Sequence, residues 1–198
     1  MPHSSEVRLL PANQNPAQPE YSRQEREFLL RLAHEGIVSS LEMRELPDID
    51  APQHLSEARG AFTTLYLHKK LRGCVGYPAA TLPLYRTVVE TARAAAFEDP
   101  RFTPVTLGEA RELQISISVL SQMQPIAPDQ IEVGRHGLII SHAGYRGLLL
   151  PQVAVEHGWD RVTFLEQACL KAGLPPNAWH EARIEAFTAE VFGDDGFE

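Results

Sequence analysis

One short segment of the sequence gathers residue types that can carry out chemistry. Within Leu71–Gly76, the cation of Arg72 lies two positions before the thiol of Cys74, and Gly73 and Gly76 flank that thiol. A thiolate is the reactive form of cysteine, and a neighbouring cation favours it. Glycines let a backbone approach another molecule closely. The segment therefore predicts a catalytic Cys74, with Arg72 as its electrostatic neighbour and glycine amides that face a substrate.

The same cysteine has a second interpretation, in which it only packs. A cysteine within a strand commonly behaves as a small buried hydrophobe, and the sequence spacing fixes no base beside Cys74. Both hypotheses stay open at this point. The other cysteine, Cys169, lies on the apolar stripe of a predicted helix, which favours core packing.

Two further groups of polar residues are candidates for binding. Asp99 follows Glu98 and precedes Arg101, which suits either an acid/base pair with a cationic clamp or a loop fixed by charged hydrogen bonds. Arg146 lies in a glycine-flanked turn, which predicts a hairpin first and a ligand contact second. The predicted substrate-binding set is Arg72, Gly73, Gly76, Asp99, Arg101 and Arg146.

The composition argues against several classes of protein. A formal net charge of -8 disfavours nucleic acids and anionic membranes as partners. The eight histidines and two cysteines show no metal-ligand spacing, and no phosphate-binding glycine loop is present. We therefore predict no metal and no cofactor. No long apolar segment and no signal peptide stand out, which predicts a cytoplasmic protein without a membrane span.

The elements around Cys74 are predicted from periodicity and breaker residues. Residues 1–20, rich in proline and amides, predict a flexible leader before a single domain over residues 21–198. A helix should begin at the capping box of Ser22 and Glu25 and run to about Leu41. Two alternating segments around a polar turn, His68–Lys70, predict an antiparallel hairpin. Its strands are Ala61–Leu67 and Leu71–Tyr77.

The remaining pattern predicts helices and strands in mixed order. A helix should end near Phe97, and a turn-rich segment follows. The later elements are predicted as a strand at Gln114–Leu120, a hairpin of Leu138–Ile140 with Gly147–Leu150, helices at Pro151–Glu156 and after Asp160, and a final strand over Ile184–Phe192. This order indicates an α+β fold with a mainly antiparallel sheet and flanking helices.

Several of these segments together resemble the AMMECR-domain family, known as component A of the AmmeMemoRadiSam set. The match covers nearly the whole chain from about residue 21, and Val75 departs from it where the family usually has Ile. Tyr77 also departs, from a small residue. The segments that carry the resemblance are Gly60–Leu65, Leu71–Gly76, Ala95–Phe102, Ile117–Leu120, Arg146–Val153 and Lys171–Pro175 with Trp179.

The resemblance implies a fold and partners but no settled reaction. It implies two unequal subdomains around a cleft. It also implies genes that frequently occur together with those of a Memo-type protein and a radical S-adenosylmethionine enzyme, which are the expected partners. Glycines around a thiol at a cleft suit the approach of a substrate. Two hypotheses follow. Either Cys74 serves a modification pathway as a nucleophile or redox thiol, or the chain is a non-catalytic adaptor that presents a substrate to a partner enzyme.

Overall fold

A computed structural model of the chain describes residues 19–194. The predicted leader, apart from its last two residues, lies outside the described part. The helices are α1 (Arg23–Leu41), α2 (Leu84–Phe97), α3 (Leu107–Ala110), α4 (Pro151–Glu156) and α5 (Arg161–Lys171). The strands are β1 (Ala61–Leu67), β2 (Lys70–Tyr77), β3 (Leu113–Leu120), β4 (Gln124–Pro125), β5 (Gly137–His142), β6 (Tyr145–Leu149), β7 (Arg183–Phe187) and β8 (Ala189–Gly193).

Local sequence signals set the first helix and the first hairpin. At the start of α1, the Ser22 hydroxyl accepts from the Glu25 amide at 3.3 Å, and the Glu25 carboxylate accepts from the Ser22 amide at 2.8 Å. This capping box satisfies two amides that the helix leaves unpaired. His68 and Lys69 both have positive φ, as the two central residues of a type I′ turn do. Both predicted elements are confirmed.

The described residues form two antiparallel sheets, each of four strands. The first has the order β2-β1-β3-β8, and the second has the order β4-β7-β5-β6. Helices α1 and α2 cover one face of the first sheet over a large apolar core, while α5 and α4 pack on the second sheet over a smaller one. The α+β fold with antiparallel pairing is confirmed, although the strands divide between two sheets.

The predicted single strand over Ile184–Phe192 is wrong. The structure breaks it at Thr188, so that β7 belongs to the second sheet and β8 to the first. The Thr188 carbonyl accepts from the Ser121 amide, and its amide donates to the Ser121 hydroxyl, both at 2.9 Å. These bonds tie together the two places where the chain passes between the sheets.

A small apolar cluster joins the two sheets. Leu120, Ile139 and Phe187 form its buried centre, and Phe62 of β1 packs against it beside residues of the second sheet. The first sheet is therefore covered at Phe62 on the face opposite its helices. Within residues 19–194, no helix is both long enough and apolar enough to cross a membrane.

Candidate functional site

A bulge in the first hairpin decides which way Cys74 faces. Leu71 pairs with Tyr66, but the next pair is Gly73 with Leu65, so Arg72 is the extra residue. Each pair shares a face of the sheet, and an uninterrupted register would pair Cys74 with a residue that faces the helices. The bulge instead pairs Cys74 with Thr64. Cys74 therefore lies on the face away from α1 and α2.

We call this surface the open face, and it carries small polar side chains. Its defining residues are Phe62, Thr64, Cys74, Ser116 and Ser118, which follow from the pairing of β2, β1 and β3. All five are partly exposed, whereas their neighbours on the helix-covered face, such as Leu65 and Ile117, are fully buried. Cys74 is thus a partly exposed residue on the edge strand of this sheet.

The sulfur of Cys74 has a hydroxyl donor beside it. The Thr64 Oγ1 donates to the Cys74 Sγ at 3.3 Å. This contact holds the sulfur on the open face and offers a hydrogen bond to a thiolate. Close by, the Phe62 ring lies over Gly76, within 1.9 Å of where a β-carbon there would stand. The thiol thus contacts a hydroxyl, and an aromatic ring covers the glycine two residues further along the strand.

Asp99 and Arg101 form hydrogen bonds with the backbone of Cys74 rather than with its sulfur. The Asp99 carboxylate accepts from the Cys74 amide at 2.9 Å, and from Nη2 and Nε of Arg101 at 2.7 and 2.9 Å. Arg101 also donates to the Cys74 carbonyl at 3.5 Å. The Asp99 side chain is only 3% exposed, while that of Arg101 is 56% exposed. The pair fixes the outer edge of β2 and leaves a cation at the surface.

The charges of this group reinforce one another. Hydrogen bonds from Arg101 hold the pKa of Asp99 well below its usual range, and the Cys74 amide adds to the effect against the opposing effect of burial. The Asp99 carboxylate in turn raises the pKa of Arg101, and the negative charge of a Cys74 thiolate raises it further. Asp99 is therefore a permanent anion here, which suits a structural clamp better than a proton carrier.

Arg72, predicted as the electrostatic neighbour of Cys74, is engaged elsewhere. Its guanidinium binds both oxygens of Glu109, at 2.9 and 3.2 Å, and donates to the carbonyls of Thr103 and Pro104. These hydrogen bonds lower the pKa of Glu109 to about 2. Arg72 thus ties β2 to the segment that follows Asp99 and Arg101, and so helps to hold that pair in place.

At both Gly73 and Gly76, close packing leaves no room for a β-carbon. A β-carbon on Gly73 would lie 2.1 Å from the Ala95 carbonyl oxygen of α2. A β-carbon on Gly76 would run into the Phe62 ring. The first glycine lets α2 approach the sheet, and the second makes room for an aromatic side chain.

Arg146, His68 and Cys169 form contacts that do not include the Cys74 sulfur. Arg146, exposed on β6, points Nη2 at the Met123 sulfur at 3.5 Å. His68 is 71% exposed and lies 3.8 Å from Glu112. Cys169 is completely buried in α5, where burial raises its pKa. Among the described residues, no group of three or more His, Cys, Asp or Glu side chains is arranged to hold a metal.

Sequence reasoning missed Thr64 and Glu109. Thr64 could be found only by counting back from the hairpin turn, and that count fails because of the bulge at Arg72. Glu109 carried a usable signal, since Thr106 with Glu109 spells a second capping box, which the structure contains. Its role as the partner of Arg72 had no local signal.

The fold and site define a two-sheet α+β protein with a partly exposed thiol at the edge of one sheet. A family model described as AMMECR1 matches residues 30–192, and the chain belongs to this family. The Methanopyrus kandleri protein MK0488 is 44% identical over 185 residues, covering 87% of this chain and 89% of that protein. The Pyrococcus furiosus protein PF1979 is also 44% identical, over 184 residues, covering 85% and 88%.

A solved structure is similar as well. The crystal structure of the uncharacterized protein PH0010 from Pyrococcus horikoshii matches with a TM-score of 0.76 and 41% sequence identity. The match covers 87% of this chain and 92% of that one. The architecture described above is therefore shared with an experimentally determined relative.

Proposed function

We propose that the chain is a cysteine-dependent component of a modification pathway, with Cys74 as its nucleophile. One observation carries the proposal: Cys74 is a partly exposed residue on the open face, and its sulfur accepts a hydrogen bond from Thr64. In the proposed step the thiolate attacks an electrophilic carbon of the substrate, a sulfur–carbon bond forms, and the leaving group departs with its electron pair.

The surrounding groups fit supporting roles in this step. Arg101 presents a cation beside the same residue, because its Nη2 donates to the Cys74 carbonyl at 3.5 Å. Asp99 keeps the backbone of Cys74 in one place through the amide contact. A nucleophile held on a rigid strand loses little entropy when it reacts.

The resemblance to the AMMECR-domain family supplies the partners of this proposal. They are a Memo-type protein and a radical S-adenosylmethionine enzyme. The proposal also places the protein in the cytoplasm, since both cysteines are free thiols and a reducing compartment keeps them so.

The adaptor hypothesis has an observation in its favour. No histidine or carboxylate among the described residues hydrogen-bonds to the Cys74 sulfur, whose hydrogen-bond partner there is Thr64. An adaptor would use the open face for binding and would not need a reactive thiol.

Peptide mass mapping distinguishes the two functions. Cells that express the chain are quenched in acid, and the peptides containing Cys74 and Cys169 are compared for added mass. We expect a covalent adduct on Cys74 and none on Cys169, which serves as the internal control. An unmodified Cys74, together with full pathway output from a Cys74→Ala strain, would support the adaptor and contradict the enzyme.

A further inference from the structure

The outer edge of β2 offers backbone groups to a partner. This strand lies at the end of its sheet, in the order β2-β1-β3-β8. In a strand, the amide and carbonyl of alternate residues point to the same side. The Cys74 amide points away from β1, because it donates to Asp99. Gly76, two residues further, therefore points the same way.

At Cys74 the outward backbone groups of this edge already have side-chain hydrogen-bond partners, in the positions where a neighbouring strand would supply backbone partners. The Asp99 carboxylate accepts the amide proton, as a neighbouring carbonyl would, and Arg101 donates to the carbonyl, as a neighbouring amide would. Side chains of this kind commonly protect exposed sheet edges from pairing. The protection ends at this residue.

At Gly76 the edge is available. No backbone or side-chain group from residues 19–194 forms a hydrogen bond with the outward amide or carbonyl of this half-exposed glycine. The strand ends at Tyr77, and Pro78 beyond it has no amide proton to donate. One amide and one carbonyl of the same residue thus lie about two residues from Cys74.

We propose that this edge binds an extended polypeptide segment and that such a segment is the substrate of Cys74. A donor next to an acceptor at strand spacing matches the backbone of a peptide, which adds to the edge as a further strand. Nucleic acid phosphates bring acceptors without donors, and the net charge of -8 disfavours them. This inference rests on the proposed function, whose substrate class it names.

The register gives the orientation of the bound segment. The peptide residue opposite Gly76 shares its face of the sheet, which is the open face that carries Phe62 and Cys74. Diagonal neighbours across a strand pair lie about 7 Å apart, within reach of a side chain. The side chain opposite Gly76 is therefore the one that meets the sulfur, with the Phe62 ring beside it.

Disulfide exchange with peptides tests this geometry on the unaltered chain. The probe is the acetylated, amidated pentapeptide Ala-Thr-Cys-Thr-Ala, whose cysteine carries 5-thio-2-nitrobenzoate in a mixed disulfide. The Cys74 thiolate attacks the peptide sulfur, a new disulfide forms, and coloured 5-thio-2-nitrobenzoate leaves with the electron pair. Mass mapping then confirms that the adduct lies on Cys74.

Backbone N-methylation supplies the matched controls. Five isomers, each methylated at one amide, are compared after their rates are divided by their rates with glutathione. We expect a loss of about tenfold at one position only, because Gly76 offers a single free carbonyl and methylation of the peptide amide that faces it removes that strand hydrogen bond. Equal rates for all isomers, with Cys74 reactive toward 5,5′-dithiobis(2-nitrobenzoate), would overturn this inference alone. An inert Cys74 would overturn it together with the proposed function.

Discussion

The two cysteines occupy opposite kinds of environment, and each is held by different forces. Cys169 is completely buried on the apolar stripe of α5, beside Phe164, Leu165 and Ala168. Cys74 is partly exposed at a sheet edge, where polar contacts from Asp99 fix its backbone. A thiol enclosed by apolar side chains is inert, whereas an exposed thiol beside hydrogen-bond donors can react. The comparison shows that position in the fold gives the two thiols different exposure: Cys169 faces an apolar core from a helix, and Cys74 faces outward from an edge strand.

The largest predicted effect comes from a substitution that disrupts the packing of β2 against α2, next to Cys74. Gly73→Ala puts a methyl group 2.1 Å from the Ala95 carbonyl oxygen, so α2 and β2 must separate. We expect the free energy of unfolding, measured by urea denaturation, to fall by about 3 kcal/mol. The matched control is Gly108→Ala, where the nearest neighbour is Thr106 Oγ1 at 4.0 Å, and we expect a change within about 0.5 kcal/mol. Equal losses in the two variants would count against this packing.

The next prediction removes the polar clamp from the Cys74 strand. Asp99→Ala takes away the acceptor for the Cys74 amide and the partner of Arg101. We expect about 2 kcal/mol of destabilisation, because a partly buried donor loses its acceptor. Glu132→Ala is the control, since it breaks an exposed ion pair with Arg135 and should change stability by less than about 0.5 kcal/mol. A clamp variant as stable as this control would contradict the role given to Asp99.

A paired substitution sharpens the difference between the two thiols. Cys169→Ser buries a hydroxyl among apolar side chains, and we expect the free energy of unfolding to fall by about 1.5 kcal/mol. Cys74→Ser keeps an acceptor for the Thr64 hydroxyl at a partly exposed position, so we expect a change within about 0.5 kcal/mol. Urea denaturation of both variants checks this. The comparison fails if Cys74→Ser proves the more damaging change.

The smallest predicted effect is the pH dependence of the ion pair between Arg72 and Glu109. Hydrogen bonds from Arg72, and after it from Thr106, lower the pKa of Glu109 from 4.5 to about 2. A carboxylate with a depressed pKa stabilises the fold above its unfolded pKa, and this contribution fades as pH falls from about 4.5 to about 2. Glu109→Gln should therefore cost about 1 kcal/mol at pH 7 and nothing near pH 2. A cost that persists unchanged at pH 2, in unfolding curves measured across this range, would exclude the ionic explanation.

The sequence predicted local elements well because their signals are local. The capping box at Ser22 begins α1, and the polar turn at His68 joins two alternating strands. The split of the last strand at Thr188 had no such signal, since it depends on bonds to Ser121, far away along the chain.

The sequence singled out several candidate residues but left their arrangement open. Cys74 was one candidate, and Asp99 with Arg101 was another; the structure brings them together. A one-residue bulge at Arg72 turns Cys74 toward Thr64, and alternation of side chains cannot reveal a bulge. Arg72 was expected near the thiol but binds Glu109, because the bulge and α3 together redirect its guanidinium.

The most direct test of the central claim compares the alkylation rates of the two thiols in the folded protein. Iodoacetamide is applied at pH 7.5, a pH chosen for the assay, and the Cys74 and Cys169 peptides are quantified over time, with the urea-unfolded chain as the reference for full access. We expect Cys74 to react at least about 100-fold faster than Cys169, since the buried thiol reacts only through opening of the fold. Equal rates in the folded state would contradict the account.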